Sequence, residues 1–406
     1  MRLSTSMFNG SVVSQMLIDQ AALAQTQQQL STGKSVNTPA DNPAAAVQIL
    51  GLTNANTQYQ QYISNGQSAS TRLTMQEQAL ADSNTTMQSI RDLVVQANSG
   101  ANNASDNKAI ATQIQALAEQ LQGVANRQDA QGDYLFAGYS TAVQPFVRGS
   151  SGSMQYVGDS GSRTIQLDST TSVQLGDPGS AIFMGVPTGN GLFTTAAGAS
   201  NTGAAVVDTG SVTNHSAWLP GQYTISFSDA THWNVTDGNG NAVTDTNGQA
   251  VQGTYNGASG TVSFDGVQVG ISGPVAAGDT FKVSPSGRES VFDTLDRIVS
   301  ALDAPMDGAA AHARLSSTLG GALKQIDQAL SQISTVTSNV GARLAMVSSM
   351  QTTISARSTA VSTQISQIAD VNYVQATALY SQQYLALQAA QASFAQVGQL
   401  SLFKYL

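Results

Sequence analysis

The feature that most constrains this chain is one row of aliphatic residues. Leu319, Ile326, Ile333, Val340, Val347, Ile354, Val361 and Ile368 follow one another at intervals of seven without a gap. Seven residues is close to two turns of α-helix, so the row predicts a single helix with a continuous apolar seam, the pattern of a coiled coil. Such a helix is about 75 Å long if straight, at 1.5 Å per residue. Leu323, Leu330, Leu344 and Ile365 join the seam on its flank. Thr337, Gln351 and Ser358 interrupt that flank, which weakens the seam locally and helps to fix its register. A helix of this length cannot bury its seam on itself and needs partners of similar length.

The N-terminal third supplies them. Asn42 is a plausible N-cap with Pro43 at the first helical position, where its missing N–H costs nothing. The helix that starts there carries Leu73, Leu80, Met87 and Val94, again seven apart. A third helix follows with Ile110, Ile114, Leu117, Leu121 and Val124, and a shorter one with Phe292, Leu295, Val299 and Leu302 precedes the long seam. The predicted intramolecular seam therefore comprises Leu80 and Met87 from the N-terminal side with Ile326, Ile333, Val340, Val347, Ile354 and Val361 from the C-terminal side.

Both ends of the sequence are helical in pattern and starved of charge. Met16, Leu23 and Leu30 mark a helix from about 5 to 32 that stops at Gly33. Tyr373, Tyr380, Leu387 and Phe394 form a matching stripe with Ala390 and Val397 beside it, and the apolar pattern continues to the last residue, Leu406. Asp19 is the only charge between Arg2 and Lys34, and Val371 to Phe403 contains no Asp, Glu, Lys or Arg. Glutamines interrupt the C-terminal stretch throughout, so it does not read as a membrane span. The first twenty residues lack a basic start, an apolar core and a small-residue cleavage site, so any export is expected to proceed without a cleaved signal peptide.

From about 133 to 287 the composition shifts to Gly, Ser, Thr, Asn and Val, with alternating runs such as QYTISFS and GTVSFDGVQVGIS that predict strands. VTDGNGNAV and VTDTNGQAV form a small overlapping repeat, each with an Asn-Gly pair that favours a tight hairpin turn. The expected fold is α+β: a long antiparallel coiled-coil bundle built from the N- and C-terminal thirds, with a β-rich domain inserted in the middle. The expected division is 1–42 with 369–406 as terminal helices, 43–178 with 287–368 as helical bundle plus β-hairpin, and 179–286 as a β-rich outer domain.

Composition and motif searches remove most chemistry. A net charge of −9 with only 10% charged residues, against about 25% in ordinary soluble proteins, argues against nucleic acid as a partner. The absence of cysteine removes disulfides and thiolate sites. His312 lies in AAHARL and not in a zinc-protease pair, and His215 and His232 have no nearby cluster of acids and read as surface residues. DGNGNAVTDTNG begins like a calcium loop but has Ala242 at its sixth position and Gly248 at its twelfth, where Gly and Glu are needed. No catalytic residue, cofactor site or metal site is expected.

Specific words in the sequence do carry a resemblance. LSTGKSVNTPADNPAAAVQI resembles the flagellin superfamily, in which a helix, a loop with an Asp near its end and a second helix lead outward from the innermost domain. GDYLFAGYSTAVQPFVR, FDGVQVGISGPVAAGDTFKVSP and VFDTLDRIVSAL are similar to hook-associated proteins of the hook–filament junction within that superfamily. The resemblance implies a structural adaptor and not an enzyme: a ring-forming extracellular component of the bacterial flagellum. Its implied partners are further copies of itself, the preceding junction protein, flagellin and an export chaperone. In such proteins the terminal helices pair within and between subunits, which points to Met16, Leu23, Leu30, Leu387, Phe394, Val397, Leu400 and Phe403 as the assembly interface. A flagellin filament subunit is the nearest alternative, and a soluble coiled-coil signalling or adhesion protein a more distant one. The first would polymerise into filaments; the second leaves the uncharged ends unexplained.

Overall fold

The computed structural model describes residues 5–100, 102–150 and 152–399. Among these, seven helices bracket a run of short strands: α1 Thr5–Thr32, α2 Pro43–Ala97, α3 Ala104–Ala125, α4 Gly179–Phe183, α5 Val291–Asp303, α6 Ala309–Ala369 and α7 Tyr373–Gln399. The chain is thus α+β, with helical ends around a β-rich middle. It divides into two compact units, one of Met1–Asn65, Leu167–Ser169 and Ser349–Leu406, the other of Gly66–Gln166 and Thr170–Ser348.

In the first unit the local signals set the helix ends. Gly33 closes α1 at φ +72°, a conformation that side chains disfavour. Asn42 caps α2, its Oδ1 accepting the Ala45 N–H at 3.1 Å. Between them Asp41 knots the loop: its Oδ2 accepts the N–H groups of Asn37 (3.0 Å) and Thr38 (2.8 Å), and Gln25 donates to its Oδ1. Those backbone donors, Thr38 foremost, hold the Asp41 carboxyl below its ordinary pKa. Further along, Ser358 of α6 is buried, donating to Asn56 at 2.7 Å and accepting from Gln60 at 2.9 Å. The residue that breaks the apolar flank in sequence is a satisfied polar contact between α2 and α6. Ile354 is buried there and Val361 half-buried.

The second unit holds the larger cores. On α2, Leu73, Leu80, Met87, Ile90 and Val94 are buried, and on α6 Leu319, Ile326, Ile333, Val340 and Val347 are buried. Arg91 pairs with Asp327 at 2.8 Å and Ser316 donates to Asn98 at 2.8 Å, so α2 and α6 run antiparallel in this unit. Ser290 caps α5 through the Asp293 N–H, and Asn103 and Asp106 form a reciprocal capping box on α3. Phe136 of the segment DYLFAG joins Phe146, Phe183 and Phe292 in a buried aromatic cluster, their rings in edge or tilted contact. Gly138, at φ +71°, cannot carry a side chain, because a Cβ there would lie 2.3 Å from the Asp159 carbonyl oxygen. Asp159 in turn accepts the N–H groups of Tyr139, Ser140 and Gly161.

Two expectations need refinement. The region around 134–175 is not one hairpin but two separate ladders, Phe146–Arg148 with Met154–Tyr156 and Thr164–Gln166 with Ser172–Gln174, because Asp159 and Gly161 turn the chain between them. A short helix, α4, also lies within the stretch read as β. Beyond it, a five-stranded antiparallel sheet runs in the order Gln252–Thr254, His232–Asp237, Tyr223–Phe227, Thr280–Pro285 and Phe193–Ala197. Ser259–Phe264 pairs with Val267–Ser272 in a second sheet, and both share one core that includes Phe193, Ile225, Phe227, Val235, Val269 and Phe281. The repeat is visible in the backbone. Val243 N–H bonds Val235 O, Val251 N–H bonds Val243 O, and Val235 N–H bonds Val251 O, closing a ring of three. Asp237 and Asp245 each seat the intervening turn by accepting backbone N–H groups two and four residues on.

Candidate assembly surface

The candidate surface is built by α1 and α7, which pack on each other in the first unit. Thr26 of α1 is buried, and its hydroxyl hydrogen-bonds the side-chain oxygen of Gln383 of α7 at 2.8 Å. Thr26 lies three residues after Leu23 and four before Leu30, and Gln383 four before Leu387, so these residues share the facing sides of the two helices. Met16, Leu23, Leu30, Leu387 and Phe394 are accordingly half-buried. The row expected to wait for neighbouring subunits is therefore partly covered within the chain. Val397 belongs to α7 but its side chain lies outside the described residues, as do Leu400 and Phe403 altogether.

Other apolar residues of the pair remain open. Val13, Leu17 and Ile18 on α1 are exposed, Leu17 by 61%, and Val374 and Leu385 on α7 are exposed by 80% and 63%. Val47 and Leu50 at the start of α2 are similarly open. The sequence reading missed them because it followed the strongest heptad row only. A signal was present: Val374 and Leu385 are three helical turns apart with Ala378 and Ser381 between them, a second stripe of small and apolar residues. Asp19 is the one charge on α1, and it accepts from Gln15 at 3.0 Å. The pair thus presents apolar and neutral polar groups, with few charges to repel or attract a neighbour.

The predicted seam residues Leu80, Met87, Ile326, Ile333, Val340 and Val347 lie in the second unit and Ile354 in the first, all at 0–1% exposure. His215, His232 and His312 are exposed, and His232 Nδ1 meets a single acid, Asp229, at 2.9 Å. Among the described residues no group of three or more His, Cys, Asp or Glu could hold a metal ion, and no helix is long and apolar enough to cross a membrane.

This arrangement has solved counterparts. The FlgL crystal structure from Xanthomonas campestris is 31% identical, with a TM-score of 0.66 over 73% of this chain and 98% of that one. The chain belongs to the flagellar hook-associated protein 3 (FlgL) family. The hook-associated protein 3 structure from Legionella pneumophila superposes with a TM-score of 0.73 at 29% identity, over 80% of this chain and 98% of that one. The flagellar hook-associated protein 3 of Salmonella typhimurium (strain LT2) is 34% identical over 183 residues, 45% of this chain. The match spans 57% of that relative's length, and likewise 57% of its Escherichia coli K12 counterpart. Within the FlgL-family chain, residues 3–141 match the bacterial flagellin N-terminal helical region and 323–406 the bacterial flagellin C-terminal helical region. Residues 196–285 match a D2-like domain described for flagellar hook-associated protein 1.

Proposed function

We propose that this FlgL-family chain is a structural adaptor of the bacterial flagellum that joins the hook side to the flagellin filament through a ring of its own copies. The observation that carries the reading is the α1/α7 pair: two helices with Asp19 as their one charge cover each other by half and leave Leu17, Val374 and Leu385 open to water. A fully buried large aliphatic side chain contributes roughly 1.5–3 kcal/mol, so stripes left open in one chain favour packing between chains. On this reading Met16, Leu23, Leu30, Leu387, Phe394, Val397, Leu400 and Phe403 belong to the inner assembly surface, together with the open rows beside them. The segments 1–42 and 369–406 form the inner domain, 43–178 with 287–368 the bundle, and 179–286 the outer domain. The bundle seam Leu80, Met87, Ile326, Ile333, Val340, Val347, Ile354 and Val361 holds the subunit itself. The preceding junction protein and flagellin are the neighbours along the axis. Export proceeds without a cleaved signal peptide, and an export chaperone covers the terminal helices beforehand.

Removal of residues 395–406 tests this. The truncated chain should stay soluble, be secreted and melt normally, while filament attachment and motility are lost. A truncated chain that still seats on the hook and nucleates filament would overturn the proposal, and one that is not secreted would assign the segment to export.

A further inference from the structure

The break between α6 and α7 has only a partial local cause: Asn372 caps α7, its Oδ1 accepting the Gln375 N–H at 3.3 Å, but an N-cap starts a helix and does not stop the one before it. Residues 370–372 are Asp, Val and Asn, with neither Pro nor Gly nearby to stop a helix. Yet α6 ends at Ala369 and α7 starts at Tyr373. What ends α6 lies in the α1–α2 loop. The Ser35 N–H donates to Ala369 O at 2.7 Å, and the Ser35 hydroxyl donates to Ile368 O at 2.9 Å. The Val371 N–H donates to Gly33 O at 2.9 Å, and Lys34 forms an ion pair with Asp370 at 3.2 Å.

Each of the three hydrogen bonds takes a group that a continuous helix would use. By the i to i−4 rule, Ile368 O would accept from Asn372, Ala369 O from Tyr373, and the Val371 N–H would bond Gln367 O. The Asp370 N–H still donates to Ser366 O at 2.9 Å, and the Ala376 N–H already donates to Asn372 O at 2.8 Å, so helical bonding stands on both sides of the gap. The clasp is also shaped for its place. Gly33 needs φ +72° to present its carbonyl, and a Cβ there would lie 3.1 Å from the Tyr373 hydroxyl.

We propose that residues 370–372 are a conditional joint: the Gly33–Ser35 clasp keeps α6 and α7 as two helices, and its release lets them wind into one helix through Ala309–Gln399. The terminal helix could then be re-aimed by events at the α1–α2 loop with no change in its own sequence. This goes beyond the adaptor role and does not depend on it.

The cysteine-free chain allows a clean distance measurement. Spin labels on cysteines introduced at the exposed Thr359 and Gln382 would be about 35 Å apart along a continuous helix, from 23 residues at 1.5 Å each. In the full-length free chain, Ser35→Pro, which removes both Ser35 donors, should shift the distance distribution toward that value relative to the parent. Ser35→Ala, which removes the hydroxyl alone, should shift it less. Tyr373→Pro suits the first position of α7 but cannot sit inside a continuous helix, so added to Ser35→Pro it should abolish the shift. Circular dichroism identifies any variant that loses helix, and the milder Ser35→Ala then decides. An unchanged distribution in folded Ser35→Pro and Ser35→Ala chains, or a shift that survives Tyr373→Pro, would overturn the joint.

Discussion

The β-rich middle and the α1/α7 pair make opposite use of similar apolar material. In the middle, Phe193, Ile225, Phe227, Val235 and Phe281 are buried to 0–1% exposure in a single core. In the pair, the described residues that reach full burial are Thr26 and Ala376, while Met16, Leu23, Leu387 and Phe394 stop halfway. The middle closes its core within one chain and is bounded by seated turns. The pair has only two helices, and two helices can cover one stripe each and no more. Lengthening such a pair adds open surface as fast as it adds contact. Further helices are needed to finish it, and among the described residues Leu17, Val374 and Leu385 stay open.

The comparison can be broken most directly by truncation mutants in the two regions. Phe281→Ala should destabilise the protein by about 3–5 kcal/mol, the usual loss for a fully buried aromatic, seen as a lower urea midpoint. Leu23→Ala should cost under about 1 kcal/mol in the same assay, since a half-covered side chain loses only part of its transfer energy. Equal losses would mean that the pair is as complete a core as the middle.

The α6 seam should fall between these. Val347→Ala and Ile354→Ala remove buried methyl groups on either side of the unit boundary, and each should cost about 1–4 kcal/mol by thermal or urea melting. Losses near zero for both would remove α6 from the folded core. A large loss for Val347→Ala alone would show that the second unit carries the global stability and the first opens independently.

The smallest effect concerns the loop that carries the clasp. Asp41 has its carboxyl lowered by the Thr38 and Asn37 N–H groups. A depressed carboxyl contributes its full stabilisation above the unfolded value, near 3.9, and loses it as pH falls through the folded one. The Thr38 amide resonance should therefore titrate below the ordinary Asp range, and in Asp41→Asn that titration should vanish. A midpoint at the ordinary Asp value would mean that the loop is not held by Asp41.

Much of this was legible before any coordinates. The helix start at Pro43 and the helix stop at Gly33 follow from a cap and a glycine, which act over a few residues. The Asn-Gly repeat announced its turns, but the ring of Val235, Val243 and Val251 depends on a pairing that no local pattern encodes. The DYLFAG segment was recognisable as a word. Its reason, the closeness of Gly138 to Asp159 and the packing of Phe136 on Phe183, required the folded chain.

The sequence by itself determined the helical thirds, the β-rich interruption and the poverty of charge at both ends, because periodicity and composition act residue by residue. Only the tertiary structure decided which apolar rows are taken within the chain and which stay open. It also decided why α6 stops at Ala369. Both depend on what lies opposite: Thr26 against Gln383, and Ser35 against the carbonyls of Ile368 and Ala369, partners more than three hundred residues apart in sequence. A contact of that kind leaves no period in the sequence, since either side alone is an ordinary polar residue.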